Sequence, residues 1–191
     1  MSLEIRLSHT LSTSGIYGPG LRYVIWVQGC SLECPGCWNS DLWSEDAGYH
    51  TTVHELVSEI IEENGIEGVT ILGGEPLEQP DPVLELIIAV KEAGLTVMLY
   101  TGYEEEELHG IQLDCLALSD IVIMGRYIAS LRDTNLRWRG SSNQKIRMMT
   151  DVYEGLEIEE RGEVEITVDP HGEVSMAGYP ERWLLKLLEG L

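Results

Sequence analysis

The hydrophobic positions of the chain fall into short unbroken runs that alternate with segments of helical spacing. The first clear run, Tyr23-Val24-Ile25-Trp26-Val27 within residues 21–28, is rich in β-branched and aromatic side chains and leads directly into Gly29-Cys30. It predicts a buried strand that stops at a cysteine. Val53, Leu56, Val57, Ile60 and Ile61 then recur at helical spacing, with Thr52 and Glu55 placed as a capping box and Asn64-Gly65 as a stop. Val69 to Leu72 is a second strand-like run, ended by Gly73-Gly74, and Asp81-Pro82 opens a helix that Gly94 closes. Residues 95–100 read as a third strand, 104–118 as mostly helical, and 121–124 as a fourth strand.

Strands alternating with helices predict a parallel sheet with crossover helices. In such sheets ligands gather beyond the carboxyl ends of the strands. Three unusual segments fall there: the cysteines after residue 28, Gly73-Gly74-Glu75-Pro76, and Thr101-Gly102. After Thr150 the pattern changes. Residues 163–168 and 173–176 alternate around Asp169-Pro170-His171-Gly172, which predicts a hairpin, and 183–188 reads as a closing helix.

With 191 residues the chain is long enough for one well-cored domain, and neither a linker nor a repeat interrupts it. Residues 1–154 are expected to form the main body, with 155–191 packed on it as an extension. Twelve Lys+Arg against 33 Asp+Glu leave a formal charge of −21, which repels a phosphate backbone and argues against a nucleic-acid substrate. The acid runs 104–107 and 157–160 read as solvated surface rather than a metal site. The start MSLEIRLSHT lacks the pattern of a secretory signal, and no stretch approaches the roughly 20 apolar residues of a membrane span, so a cytoplasmic protein is expected.

Three of the four cysteines, Cys30, Cys34 and Cys37, lie within eight residues at the spacing C-x₃-C-x₂-C. They are too local to staple a fold and are better explained as ligands. A cubane iron–sulfur cluster normally takes four cysteines, so a loop with three leaves one iron open, as catalytic metal sites do. The competing reading is a zinc knuckle or a redox pair built on Cys34 and Cys37, for which His50 and His54 are the nearest histidines. Cys115, within Leu113-Asp114-Cys115-Leu116, reads as a small buried thiol.

The cysteine spacing together with Gly73-Gly74-Glu75-Pro76 resembles the radical S-adenosylmethionine superfamily. Within it, the closest likeness is to the glycyl-radical-enzyme activases, especially the reductase-activating group. Gly18-Pro19-Gly20-Leu21-Arg22, Val27-Gln28-Gly29-Cys30, Cys34-Pro35-Gly36-Cys37-Trp38-Asn39, Tyr100-Thr101-Gly102-Tyr103 and Trp138-Arg139-Gly140-Ser141-Ser142-Asn143-Gln144 carry it. The likeness spans about residues 13–150. Taken alone, the last stretch is a polar loop whose Ser141, Ser142 and Asn143 could bond a ligand or their own backbone.

The resemblance implies a partial (β/α)6 barrel, extended here by the C-terminal hairpin and helix. It implies a [4Fe–4S] cluster on Cys30, Cys34 and Cys37, and S-adenosylmethionine held by Trp38, Gly73, Gly74, Glu75, Pro76, Thr101, Gly102, Arg126, Ser142, Asn143 and Gln144. Glu75 is expected to meet the amino group of that cofactor. The implied reaction is reductive cleavage to a 5′-deoxyadenosyl radical that installs a glycyl radical on a partner enzyme, foremost an anaerobic ribonucleotide reductase. A flavodoxin or ferredoxin is the implied electron donor. Two other classes compete: a radical enzyme acting on a small molecule or peptide, and a non-catalytic iron–sulfur or zinc module. Tyr17 and Met124 stand where activases often carry Asp, and Arg126 where they often carry Lys.

Overall fold

The computed structural model describes residues 2–168, 174–178 and 180. The turn read at 169–172 and the helix read at 183–188 lie outside them. Nine strands and three α-helices are described: β1 (Glu4–Ser14), β2 (Arg22–Val27), β3 (Tyr49–Thr52), α1 (Val53–Glu62), β4 (Gly68–Gly73), α2 (Pro80–Glu92), β5 (Thr96–Thr101), α3 (Ile111–Leu118), β6 (Ile121–Met124), β7 (Lys145–Met148), β8 (Val164–Val168) and β9 (Val174–Gly178).

Seven strands form one sheet in the order β3-β1-β2-β4-β5-β6-β7, and β8 pairs with β9 in a separate hairpin. The expected parallel run is present as β2, β4, β5 and β6. It is not the whole sheet, because β1, β3 and β7 join it antiparallel. These three strands escaped the sequence reading for a physical reason. β3 and β7 are four residues long with no fully buried side chain, and only Ile5 and Leu7 anchor the first half of β1. Pairing with a neighbour, rather than a strong apolar run of their own, makes them strands.

Every residue of β2 and β6 is buried, as expected for strands covered on both faces. On one face α1, α2 and α3 pack over Ile25, Ile71, Leu99 and Val122. On the other, Val24, Trp26 and Leu72 meet Tyr17 and Tyr100, while Met98, Ile121 and Ile123 are covered by Trp138. Truncating a fully buried side chain such as Ile25 or Ile71 to alanine costs about 2–5 kcal/mol.

The helix signals read correctly. Thr52 accepts from the Glu55 N–H at 3.2 Å while Glu55 accepts from the Thr52 N–H at 3.0 Å, closing the capping box of α1. Helix α2 ends in Gly94 at φ +80°, with Gly94 N–H donating to Lys91 and Leu95 N–H to Val90, a Schellman closure. The stretch 104–118 is a correction: only Ile111–Leu118 is α-helical, after a single 3₁₀ turn at Glu105–Glu107 and a left-handed Gly110. The acids of that turn are not merely solvated. Glu104, Glu105 and Glu107 pair with Lys145, Arg147 and Arg126.

Parallel strands place their carboxyl ends on one edge, and Val27 is in register with Gly73, and Thr101 with Met124. The opposite edge is held by Arg22, which is wholly buried and donates to Thr70, to the Val69 and Thr96 carbonyls and to Tyr153. Asp120 ties the same layer together, accepting from Lys91, from the Val97 N–H and from Thr150.

Candidate functional site

A cavity opens at the carboxyl edge of β2, β4, β5 and β6. It is lined by Cys30, Cys34, Cys37 and Trp38 after β2, by Gly73, Gly74 and Glu75 at β4, by Thr101 and Gly102 at β5, and by Gly125 and Gln144 beyond β6. The three segments expected on one rim are therefore brought together.

Each is shaped by close backbone approach. The Gly74 N–H donates to the Val27 carbonyl at 2.8 Å and the Glu75 N–H to the Gly29 carbonyl at 2.8 Å, so the β4 turn lies directly on the segment entering the cysteines. A Cβ on Gly74 would collide with that Gly29 carbonyl. Gly73 sits at φ +118°, where side chains are strained and where a Cβ would strike the Val27 backbone.

The cysteine loop is clamped from the side. Glu78 accepts from the Ser31 N–H at 2.9 Å and the Ser31 hydroxyl at 2.6 Å, and it also receives the Tyr103 hydroxyl at 3.3 Å. Burial pushes the Cys30 thiol up to about 11 and raises that of Cys34. Uncompensated, these sulfurs stay protonated, and a bound metal centre would reverse the preference. Among the described residues no three histidine, cysteine or carboxylate groups converge tightly enough to hold one metal ion. A cubane places each thiolate on a different iron, and three cysteines lining one cavity are a donor set that fits it. His50 and His54 are exposed on β3 and α1 and do not line the cavity. Cys115 is fully buried, its thiol directed at the Pro80 carbonyl and pushed up by burial to about 12.

Glu75 is almost completely buried, and the chain itself uses its carboxylate. Oε1 accepts from the Leu77 N–H and the Thr101 hydroxyl, both at 2.9 Å, and Oε2 from the Gly102 N–H at 2.7 Å. Burial, aided by Glu78, drives its pKa up to about 7 against the pull of these donors.

The other expected cofactor residues divide. Gln144 lines the cavity, yet its amide is spent on the loop: Nε2 donates to the Gly125 carbonyl and Oε1 accepts from the Gly140 N–H. Asn143 donates to the Arg126 carbonyl, Ser142 is exposed, and the Ser141 hydroxyl accepts from the Ile128 N–H. The Ser141, Asn143 and Gln144 side chains thus bond backbone groups, while Asn143 Oδ1 is buried without a partner among the described residues. Arg126 forms a two-pronged ion pair with Glu107 and lies 5.7 Å from the Tyr103 ring, and neither it nor Pro76 lines the cavity. Met124 is buried in the helix-side core, so a carboxylate at that position would not face the cysteines.

Sequence reasoning missed Trp43 and Tyr127, which line the cavity, and Glu78, which clamps it. Glu78 carried a signal, three residues past Glu75 in the same turn, whereas Trp43 carried none. A second cavity of about 430 Å³ shares Trp38, Asn39 and Leu72 with the first and runs between β1 and the hairpin, past His9 and Met176. There the Trp26 ring stacks on His9, and Tyr17 accepts from the Gly178 N–H at 3.0 Å.

A family model described as a 4Fe-4S single cluster domain matches residues 16–147. The chain is 32% identical over 140 residues to an anaerobic ribonucleoside-triphosphate reductase-activating protein of Escherichia coli strain K12, covering 69% of this chain and 90% of that protein. It is 36% identical over 143 residues to the protein of the same description from Enterobacteria phage T4, covering 71% and 89%. To a pyruvate formate-lyase-activating enzyme of Clostridium pasteurianum it is 33% identical over 109 residues, covering 51% of this chain and 46% of that enzyme.

Proposed function

Because the chain belongs to the activase family of 4Fe-4S single cluster proteins, we propose that it generates a glycyl radical on a separate enzyme, foremost an anaerobic ribonucleotide reductase. The observation that carries this reading is the meeting of Cys30, Cys34 and Cys37 with the Gly73-Gly74-Glu75 turn around one cavity. Cys30, Cys34 and Cys37 hold a [4Fe–4S] cluster, and the β4 and β5 turns hold S-adenosylmethionine beside it. A cluster held there would supply one electron, taken from a low-potential flavodoxin or ferredoxin, for splitting S-adenosylmethionine into methionine and a 5′-deoxyadenosyl radical, which would take a hydrogen atom from a glycine of the partner and leave as 5′-deoxyadenosine.

The residues of the chain supply position and shielding. Glycines at 73 and 74 let the β4 turn lie directly on the backbone entering the cysteines, and Glu75 holds the β4 and β5 turns at a fixed spacing while offering carboxylate oxygens as acceptors for the cofactor's amino group. Trp38 presents an aromatic face between the two cavities. The preference for a protein substrate over a small molecule rests on the named relatives, which are activating proteins of other enzymes. The partial (β/α)6 barrel belongs to the same proposal, with β2, β4, β5 and β6 as its parallel strands and 155–191 as an extension. Among the described residues no helix is long and apolar enough to cross a membrane.

The test is to reconstitute the protein anaerobically, add reductant and S-adenosylmethionine, and incubate it with glycyl-radical enzymes of the same genome. Release of 5′-deoxyadenosine with a glycine-centred doublet in the electron paramagnetic resonance spectrum supports the reading. Release of 5′-deoxyadenosine with every such enzyme silent and a small molecule modified instead overturns it.

A further inference from the structure

The indole nitrogen of Trp43 is shielded from solvent and has no hydrogen-bond partner among the described residues, and Trp43 is one of the residues lining the cavity that holds the three cysteines. We propose that Trp43 donates its Nε1–H to a sulfur of the bound iron–sulfur cluster. The assignment rests on the cluster reading above.

Buried donors almost always find an acceptor, and one left alone calls for a reason such as a ligand. Other described polar atoms share that condition, but Trp138 and Asn143 do not line the cysteine cavity, and Arg137, Arg139 and Glu163 are already engaged in ion pairs. The backbone that carries the indole is held in place. The Cys30 N–H donates to the Trp43 carbonyl at 3.0 Å, the Gly29 N–H to the Leu42 carbonyl at 2.9 Å, and Gln28 Nε2 to the Ser44 carbonyl at 2.8 Å. Trp43 is therefore joined to the first cysteine by a direct backbone bond.

Among the described residues no protein acceptor lies within hydrogen-bonding reach of this nitrogen. The acceptors that a cluster would add to this cavity are its sulfide and thiolate sulfurs, and indole offers a donor and no acceptor. Hydrogen bonds to cluster sulfurs stabilise the more negative, reduced state and raise the reduction potential. Trp43 would then ease loading of the electron that the reaction consumes.

Trp43→Phe removes the N–H and keeps an aromatic ring. In anaerobically reconstituted protein without S-adenosylmethionine, the variant is expected to carry as much iron and sulfide per chain as the wild type. Its midpoint should move to more negative potential, so that at the wild-type midpoint, where half of the wild-type clusters are reduced, a several-fold smaller fraction of the variant's clusters is reduced. Equal loading with an unmoved midpoint overturns the assignment. So does an unmoved midpoint with weakened S-adenosylmethionine binding, which would give the N–H to that cofactor. Should the variant fail to load, pulsed electron paramagnetic resonance of the reduced wild type grown on ¹⁵N-indole tryptophan decides: coupling to one indole nitrogen, retained in Trp38→Phe, is expected, and no coupling overturns the assignment. Absence of iron and sulfide from the wild type itself sinks the cluster reading and this assignment with it.

Discussion

The carboxylate of Glu75 accepts the backbone N–H of Gly102 at 2.7 Å, so one buried side chain spans the turns that follow two adjacent parallel strands. The proposed function gives Glu75 a place beside the cofactor, and the structure makes it a brace between the walls of the cavity. Both roles are compatible, because a carboxylate has room for more than three donors.

Glu75→Gln replaces one acceptor oxygen by a donor, leaving a turn N–H or the Thr101 hydroxyl unmatched. A loss of about 1–3 kcal/mol in urea unfolding of the apoprotein is expected. The pH dependence carries a further sign. The folded pKa of Glu75 is raised by burial to about 7, above its ordinary value of 4.5, so its contribution to stability is full below 4.5 and is lost as pH rises through 7. The variant should lack that part of the decline, and identical pH profiles for the two proteins would contradict it.

Alanine at Cys30, Cys34 or Cys37 is expected to abolish assembly of a catalytic cluster, whereas Cys115→Ala keeps it. The first three line the cavity, and Cys115 lies in the core. Iron and sulfide determination on reconstituted variants checks this, and a well-folded Cys115→Ala without iron would mean that a ligand had been miscounted.

Gly74→Ala should separate the cofactor turn from the cysteine segment, since the new methyl meets the Gly29 carbonyl, a backbone atom with little freedom to move. Loss of S-adenosylmethionine binding, followed by calorimetry, is expected at no less than tenfold. Gly94→Ala serves as the control: its Cβ meets nothing nearby and disturbs only the left-handed end of α2. Equal cofactor affinity in the two variants would remove the close approach from the explanation.

Asp120→Ala leaves Lys91 and the Val97 N–H without their acceptor, at an expected cost of about 3 kcal/mol in chemical denaturation, the low end for a broken buried pair because Lys91 is partly exposed. Burial alone would push Asp120 up, but Lys91, Val97 and Thr150 together bring it below the ordinary 3.8. Its contribution is therefore present above pH 3.8 and is lost as pH falls through the lowered value. Acid unfolding of the variant should be less steep than that of the wild type in that window.

Much of the site was legible in the sequence because its constraints are local. The C-x₃-C-x₂-C spacing, the paired glycines at 73 and 74, and the strand runs that stop just before them lie within a few residues of one another. Placing them on one rim needed only the rule that parallel strands end on the same edge. The capping box of α1 and the glycine stop of α2 were legible for the same reason. By contrast, β1, β3 and β7 depend on partners far along the chain: β1 is completed by β2 and by β3, some forty residues on.

The sequence by itself determined which residues could bind iron, where the parallel strands end and which family's motifs the chain carries, since spacing and periodicity are properties of neighbours. Only the tertiary structure decided what each polar side chain near the cavity does. It tied the Gln144 amide to the backbone of Gly140, bound Arg126 to Glu107, gave Glu75 three donors from the chain, and left the indole N–H of Trp43 without a partner among the described residues. Hydrogen bonds are settled by distance and direction between groups that are remote in sequence, and those become definite only when the sheet brings its loops together.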